Sequence, residues 1–240
     1  MHQKSIYVLI HSPLVGGLTW ALVANQMRKS GLEVLVPTLN DSPDSEKPYW
    51  KQHAESISNS LANISKDYSL ILVAHSGAGP LLPVVRQTLY NPIHTYVFVD
   101  AGVPHNNATR LDLMRSEDPE WANQFQEELE RGERFPTWSS DDLREIVPDR
   151  YLREQLVTEL RPRGLDFFTE PIPVFDSFPD AACIYIQFSA PYENPAAYAR
   201  KSGWSTYKLD AGHFHMLVDP EAVSDLIINS VRGMIHPSLD

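Results

Sequence analysis

Apolar positions along the chain fall into two alternating kinds of segment. Residues 6–10, 34–36, 70–74, 96–99 and 182–186 are short, nearly unbroken apolar runs. Runs of that length suit strands covered on both faces, as in a parallel sheet. Residues 205–209 read as a sixth strand. Between the runs the spacing turns helical. Leu18, Ala21, Leu22, Ala24 and Met27 share one face of a segment closed by Ser30-Gly31. Further helices are predicted over 50–61, 194–201 and 221–231, and the apolar run 81–85 opens another. Pro80 and Pro83 fall in its early turns, where Pro83 is expected to remove a hydrogen bond and bend the helix. Strands alternating with helices imply right-handed crossovers and a mainly parallel sheet of about six strands. Residues 101–180 break the rhythm with three helical stretches, 119–131, 141–146 and 150–160, and no strand. The expectation is an α/β core made of residues 1–105 and 176–240, with a helical lid inserted at 106–175.

Composition narrows the function classes. The 240 residues carry 20 Lys+Arg against 31 Asp+Glu, a formal charge of −11. That balance disfavours a nucleic-acid partner, whose phosphates require a basic surface. The charge is also localised: residues 112–170 hold 16 acidic and 8 basic side chains, which is −8 of the −11. Solvated helix faces in the insertion account for it. The single cysteine, Cys183, lies mid-strand among apolar residues and reads as core; it excludes an intrachain disulfide framework and a Cys-rich metal site. No apolar stretch approaches the roughly 20 residues of a spanning helix, and the N-terminus lacks a signal-peptide pattern. A cytoplasmic protein acting on a small molecule, without membrane or nucleic-acid partner, is the expectation.

In open parallel sheets functional groups gather at the C-terminal strand ends. Three such ends carry reactive side chains here: Ser76, Asp100 and His213. Ser76 follows an apolar strand and precedes a helix, and its neighbours Ala74, Gly77, Ala78 and Gly79 are all small. A strained nucleophile elbow needs that crowding tolerance, and the segment is a relaxed G-x-S-x-G with Ala at both outer positions. Taken alone, it reads equally as an ordinary serine in a glycine-rich turn. His213 and His215 have His-x-His metal spacing, but no convincing third ligand lies nearby, so no metal is expected. His11 reads as a structural loop histidine.

Together these pieces resemble the α/β-hydrolase superfamily over nearly the whole chain. The small members similar to plant methyl-salicylate esterases and hydroxynitrile lyases look nearest. The resemblance rests on Val8-Leu9-Ile10-His11, Trp20, the 73–79 segment Val-Ala-His-Ser-Gly-Ala-Gly, Phe98-Val99-Asp100, and Ala211-Gly212-His213-Phe214-His215-Met216-Leu217. It implies Ser76 as nucleophile and His213 as base, with the first two strands of the family sheet absent. Most members place the triad acid after the strand preceding the histidine, where this chain offers only Glu193. Others use the strand before the insertion, which ends here in Asp100.

The resemblance also implies an oxyanion hole built from Gly77 N–H and a donor in the loop after the first strand. There this chain reads His11-Ser12-Pro13, and Pro13 has no N–H to give, leaving Leu14 N–H or the Ser12 hydroxyl. His75, His215, Trp138, Phe135 and Trp50 are candidates for the substrate pocket, with Phe167 and Phe168 as further aromatics of the insertion. The implied activity is cofactor-free hydrolysis of a small or medium apolar ester, lactone or thioester. A lyase using the same groups for acid–base work, or a non-catalytic ligand-binding protein, are the alternatives.

Overall fold

The computed structural model describes residues 4–235. Six strands, β1 (Ser5–Ile10), β2 (Glu33–Leu35), β3 (Ser69–Ser76), β4 (Ile93–Ala101), β5 (Ala182–Gln187) and β6 (Ser205–Lys208), form one sheet in the order β2-β1-β3-β4-β5-β6. Every neighbouring pair is parallel. The period-2 geometry of a strand sorts side chains cleanly between the faces. Ile6, Val8 and Ile10 of β1 and Leu70, Leu72 and Ala74 of β3 enter one core. Tyr7 and Leu9, with Ile71 and Val73, enter the other.

Each face is closed by helices. On one, α1 (Leu18–Lys29) contributes Trp20, Val23 and Met27, beside Val223, Ile227 and Val231 of α10 (Pro220–Ile235). The other holds α2 (Tyr49–Ser60), α3 (Leu82–Thr88) and α8 (Glu193–Lys201). A single turn, α9 (His215–Val218), precedes α10. Strands β1 and β3 are adjacent while their connections lead to opposite faces. That topological switch opens a crevice at their C-terminal ends.

Between β4 and β5 lie α4 (Arg110–Glu117), α5 (Pro119–Glu130), α6 (Arg150–Thr158) and α7 (Leu165–Phe168). Leu111, Phe125, Leu129, Phe167 and Phe168 form a third core there, joined by Tyr49. An Ala108–Ile172 bridge draws the ends of the segment together. The periodicity missed α4 and α7 and overstated 141–146, which is a run of turns. Only Leu143 of that stretch is buried, with Val147 just beyond it, and Pro148 stops the helix before it gains a second turn. Pro83 does not bend a helix either. A 3₁₀ turn at Gly79–Leu81 comes first, and α3 restarts at Leu82, so Pro83 sits in a first turn where its missing N–H costs nothing.

Candidate active site

The β3 strand delivers Ser76 to the crevice in a left-handed conformation, φ 55°. A non-glycine residue seldom adopts that region, and a tight strand-to-helix turn requires it here. The turn also dictates its small neighbours. A Cβ on Gly79 would fall inside contact distance of the Gly102 carbonyl oxygen, which is immobile backbone. Gly79→Ala is therefore expected to cost about 1–3 kcal/mol, seen as a lowered Tm. An unchanged melting curve would show that this turn can open. A Cβ on Gly77 would lie 3.2 Å from Ser12 Oγ, so the serine of the β1 loop stands directly beside the turn.

Asp100 is the second left-handed residue, φ 42°. The β3–β4 register slips at this point: His75 pairs with Val99 and Ser76 with Ala101, leaving Asp100 as a bulge. A bulge re-aims a side chain. The Asp100 carboxylate is consequently turned toward the loop after β5, fully buried. It accepts four hydrogen bonds: Phe188 N–H at 2.8 Å, Ser189 N–H at 2.9 Å, Ser189 Oγ–H at 2.6 Å and His213 Nδ1–H at 2.7 Å. Glu193 takes no part. Its carboxylate, half exposed, accepts from Gln187 and Arg200, and these bonds hold it below the usual glutamate range.

His213 stands in the loop after β6, its ring tilted over that of His75 with centroids 4.4 Å apart. Tyr192 stacks on it at 5.0 Å and 4° between planes. The Tyr192 hydroxyl lies 3.2 Å from Ser76 Oγ, so the serine hydroxyl is engaged by this phenol. Burial raises the Tyr192 phenol above the ordinary tyrosine range. Sequence reasoning gave Tyr192 no role. It sits one residue before Glu193, in the loop after β5.

Ser76, Gly77, Leu14, Phe135, Trp138, Phe167, Phe168, Tyr192 and His213 share one mainly apolar cavity of about 720 Å³. Leu113 and Met114 of the unforeseen α4 line it too. Three expected pocket residues are elsewhere. His75, one step before Ser76, points by strand alternation to the α1 side, where it packs against Trp20 and its Nε2–H donates to the His213 carbonyl at 3.0 Å. Burial holds its imidazole well below the usual histidine range, hence neutral. His215 opens α9 and packs against Phe188. Trp50 lies against the α2–α3 core.

In the β1 loop, Ser12 Oγ accepts from Leu14 N–H at 3.4 Å. The insertion braces this loop: Arg161 N–H donates to the Leu14 carbonyl at 2.9 Å, and the Glu159 carboxylate accepts from Leu18 N–H at 2.9 Å. His11 is structural. Its Nδ1–H donates to the Ser12 carbonyl, its Nε2 accepts from Leu39 N–H, and burial lowers its pKa to about 4. Cys183 is buried, with its thiol pushed up to about 12. Among the described residues no cluster of three or more metal-ligating side chains occurs, and no helix is long and apolar enough to cross a membrane.

The architecture is shared with solved structures. One is an extracellular α/β-hydrolase from a Paenibacillus species, described as sharing structural and functional homology with tobacco salicylic acid binding protein 2. It matches at TM-score 0.75 and 18% identity, over 95% of this chain and 99% of that one. Polyneuridine aldehyde esterase matches at 0.72 and 17%, over 95% and 99%. Tomato methylketone synthase I in complex with 2-tridecanone matches at 0.72 and 17%, over 95% and 98%. No protein-family model matches the sequence, and no curated protein does. At these identities the similarity establishes the fold, which is that of the α/β-hydrolases.

Proposed function

We propose that this α/β-hydrolase fold works as a serine hydrolase on small or medium apolar esters, lactones or thioesters, with residues 106–175 as its lid. The observation carrying the reading is that His213, hydrogen-bonded to the buried Asp100, shares with Ser76 one mainly apolar cavity. The names of the Paenibacillus hydrolase and polyneuridine aldehyde esterase favour the same chemistry.

Asp100 fixes the His213 tautomer by accepting from Nδ1–H, which leaves Nε2 free to take a proton. With the Tyr192 phenol donating to Ser76 Oγ, the serine's own proton is free to be directed to that nitrogen. Ser76 Oγ then attacks the carbonyl carbon, and His213 passes the proton to the leaving alcohol. Water repeats the cycle to release the acid. Gly77 N–H serves the developing oxyanion as one donor. For the second, the Ser12 hydroxyl fits better than Leu14 N–H. The Leu14 amide is turned onto Ser12 Oγ, and accepting that bond polarises the hydroxyl to donate in its turn. The cavity, within the roughly 300–1,000 Å³ of ordinary small-molecule sites, suits an apolar acyl or alcohol group.

Fluorophosphonate labelling followed by peptide mapping tests the proposal. A single adduct on Ser76, with turnover of p-nitrophenyl esters, is expected. Folded protein that takes no adduct would sink it, and turnover of a cyanohydrin without any acyl-enzyme would favour the lyase instead.

A further inference from the structure

We infer that Tyr192 is a catalytic residue of this site, its phenol donating a hydrogen bond to Ser76 Oγ as that oxygen leaves the acyl group. The inference rests on the hydrolase reading above and adds a group to it. The hydroxyl is already in place, 3.2 Å from Ser76 Oγ. Its ring has little freedom to leave, because it lies parallel against the His213 imidazole and ends a 3₁₀ turn that contains Pro191. Burial keeps the phenol protonated at neutral and mildly alkaline pH, so it remains a donor throughout that range. The site is also short of donors. Pro13 has no N–H, and the Leu14 N–H is spent on Ser12 Oγ.

The step where this donor matters follows from comparing ground states. Before acylation Ser76 already holds the Tyr192 bond, so the enzyme gains little more from it on the way to the first transition state. In the acyl-enzyme Oγ is an ester oxygen, a weak acceptor. During deacylation the water oxygen bonds to the acyl carbon while its proton passes to His213 Nε2. The C–Oγ bond then breaks, its electron pair stays on Oγ, and His213 returns the proton there. Negative charge builds on Oγ as that bond breaks, and a hydrogen bond to it strengthens accordingly. Tyr192 keeps its own proton from start to finish.

Tyr192→Phe keeps the stacked ring and removes only the hydroxyl. Stopped-flow assays with p-nitrophenyl butyrate should show kcat about tenfold lower. The acyl-enzyme should accumulate, seen as a p-nitrophenol burst matching the enzyme concentration, while kcat/KM stays within about threefold. Fluorophosphonate labelling of Ser76 in the variant checks that it is folded and competent for attack. Unchanged kcat, or kcat and kcat/KM falling together without a burst, would overturn the role for Tyr192 while leaving the hydrolase intact. A wild type that neither turns over esters nor takes the label overturns the hydrolase reading, and the Tyr192 step with it.

Discussion

Replacing Asp100 by Asn should lower kcat for p-nitrophenyl esters by about 10⁴, the scale on which a triad loses its correct histidine tautomer. The buried carboxylate accepts four bonds, all from donors. An asparagine offers one acceptor oxygen and one amide group that can only donate. If the amide faces His213, Nδ1–H has no acceptor and the imidazole flips to the wrong tautomer. If it faces the loop, the Phe188 and Ser189 amides lose theirs, and an unsatisfied buried donor costs about 1–3 kcal/mol. Either orientation harms the site, so the variant should also melt earlier. Glu193→Gln is the matched control. Its carboxylate is half exposed and paired with Arg200, so activity should stay within about twofold. Inactivation by the Glu193 change, with Asp100→Asn retaining activity, would reassign the acid.

The same carboxylate marks the limit of what the sequence discloses. Strand positions were readable because each is a dense apolar run, and every expected strand occurs within three residues of its place. Ser76 was readable because the elbow requires small neighbours, which appear as letters. The choice between Asp100 and Glu193 was not, since it turns on a one-residue bulge and on backbone donors at Phe188 and Ser189. Neither leaves a compositional trace. The pocket walls are illegible in the sequence for a related reason. Aromatic residue type foretells burial but not which wall it lines, and strand alternation sent His75 away from the cavity. Helix α4 shows the converse. A capping box was present at Thr109 and Asp112, but no apolar period followed it to draw attention. Tyr192 had no signal beyond its place after a strand.

The largest effect on stability is expected away from the chemistry, at Asp41. Its buried carboxylate receives both Arg163 Nη groups and the His53 Nε2–H, the last at 2.9 Å. The three residues come from the loop after β2, from α2 and from the insertion, so one cluster ties the insertion to the sheet domain. Arg163 is buried, stacked near Tyr49 and Phe167. Asp41→Ala would leave that guanidinium in the interior without a counter-ion, which costs about 3–5 kcal/mol. For a chain of this size that is a Tm loss of about 6–20 °C. The double change Asp41→Ala with Arg163→Met removes the stranded charge as well and should recover part of the loss.

Acid should reach the fold by a different route. Burial opposes the charge on Asp41, but the bonds from His53 and Arg163 outweigh it and hold the carboxyl well below its usual range. Its stabilisation is therefore complete above about pH 4 and fades only as pH falls through that lower folded value. His11, at about 4, and the lowered His53 and His75 respond sooner, because burial keeps them neutral in the fold while the unfolded chain protonates near pH 6.5. Wild-type Tm should thus begin to fall as pH drops below about 6.5, with His11 alone removing about 3 kcal/mol by pH 4. A thermal-melt series from pH 8 to 4 on wild type, Asp41→Ala and the double variant tests both ideas. A double variant no more stable than Asp41→Ala would contradict the stranded-charge account, and a Tm flat down to pH 5 would contradict the neutral histidines.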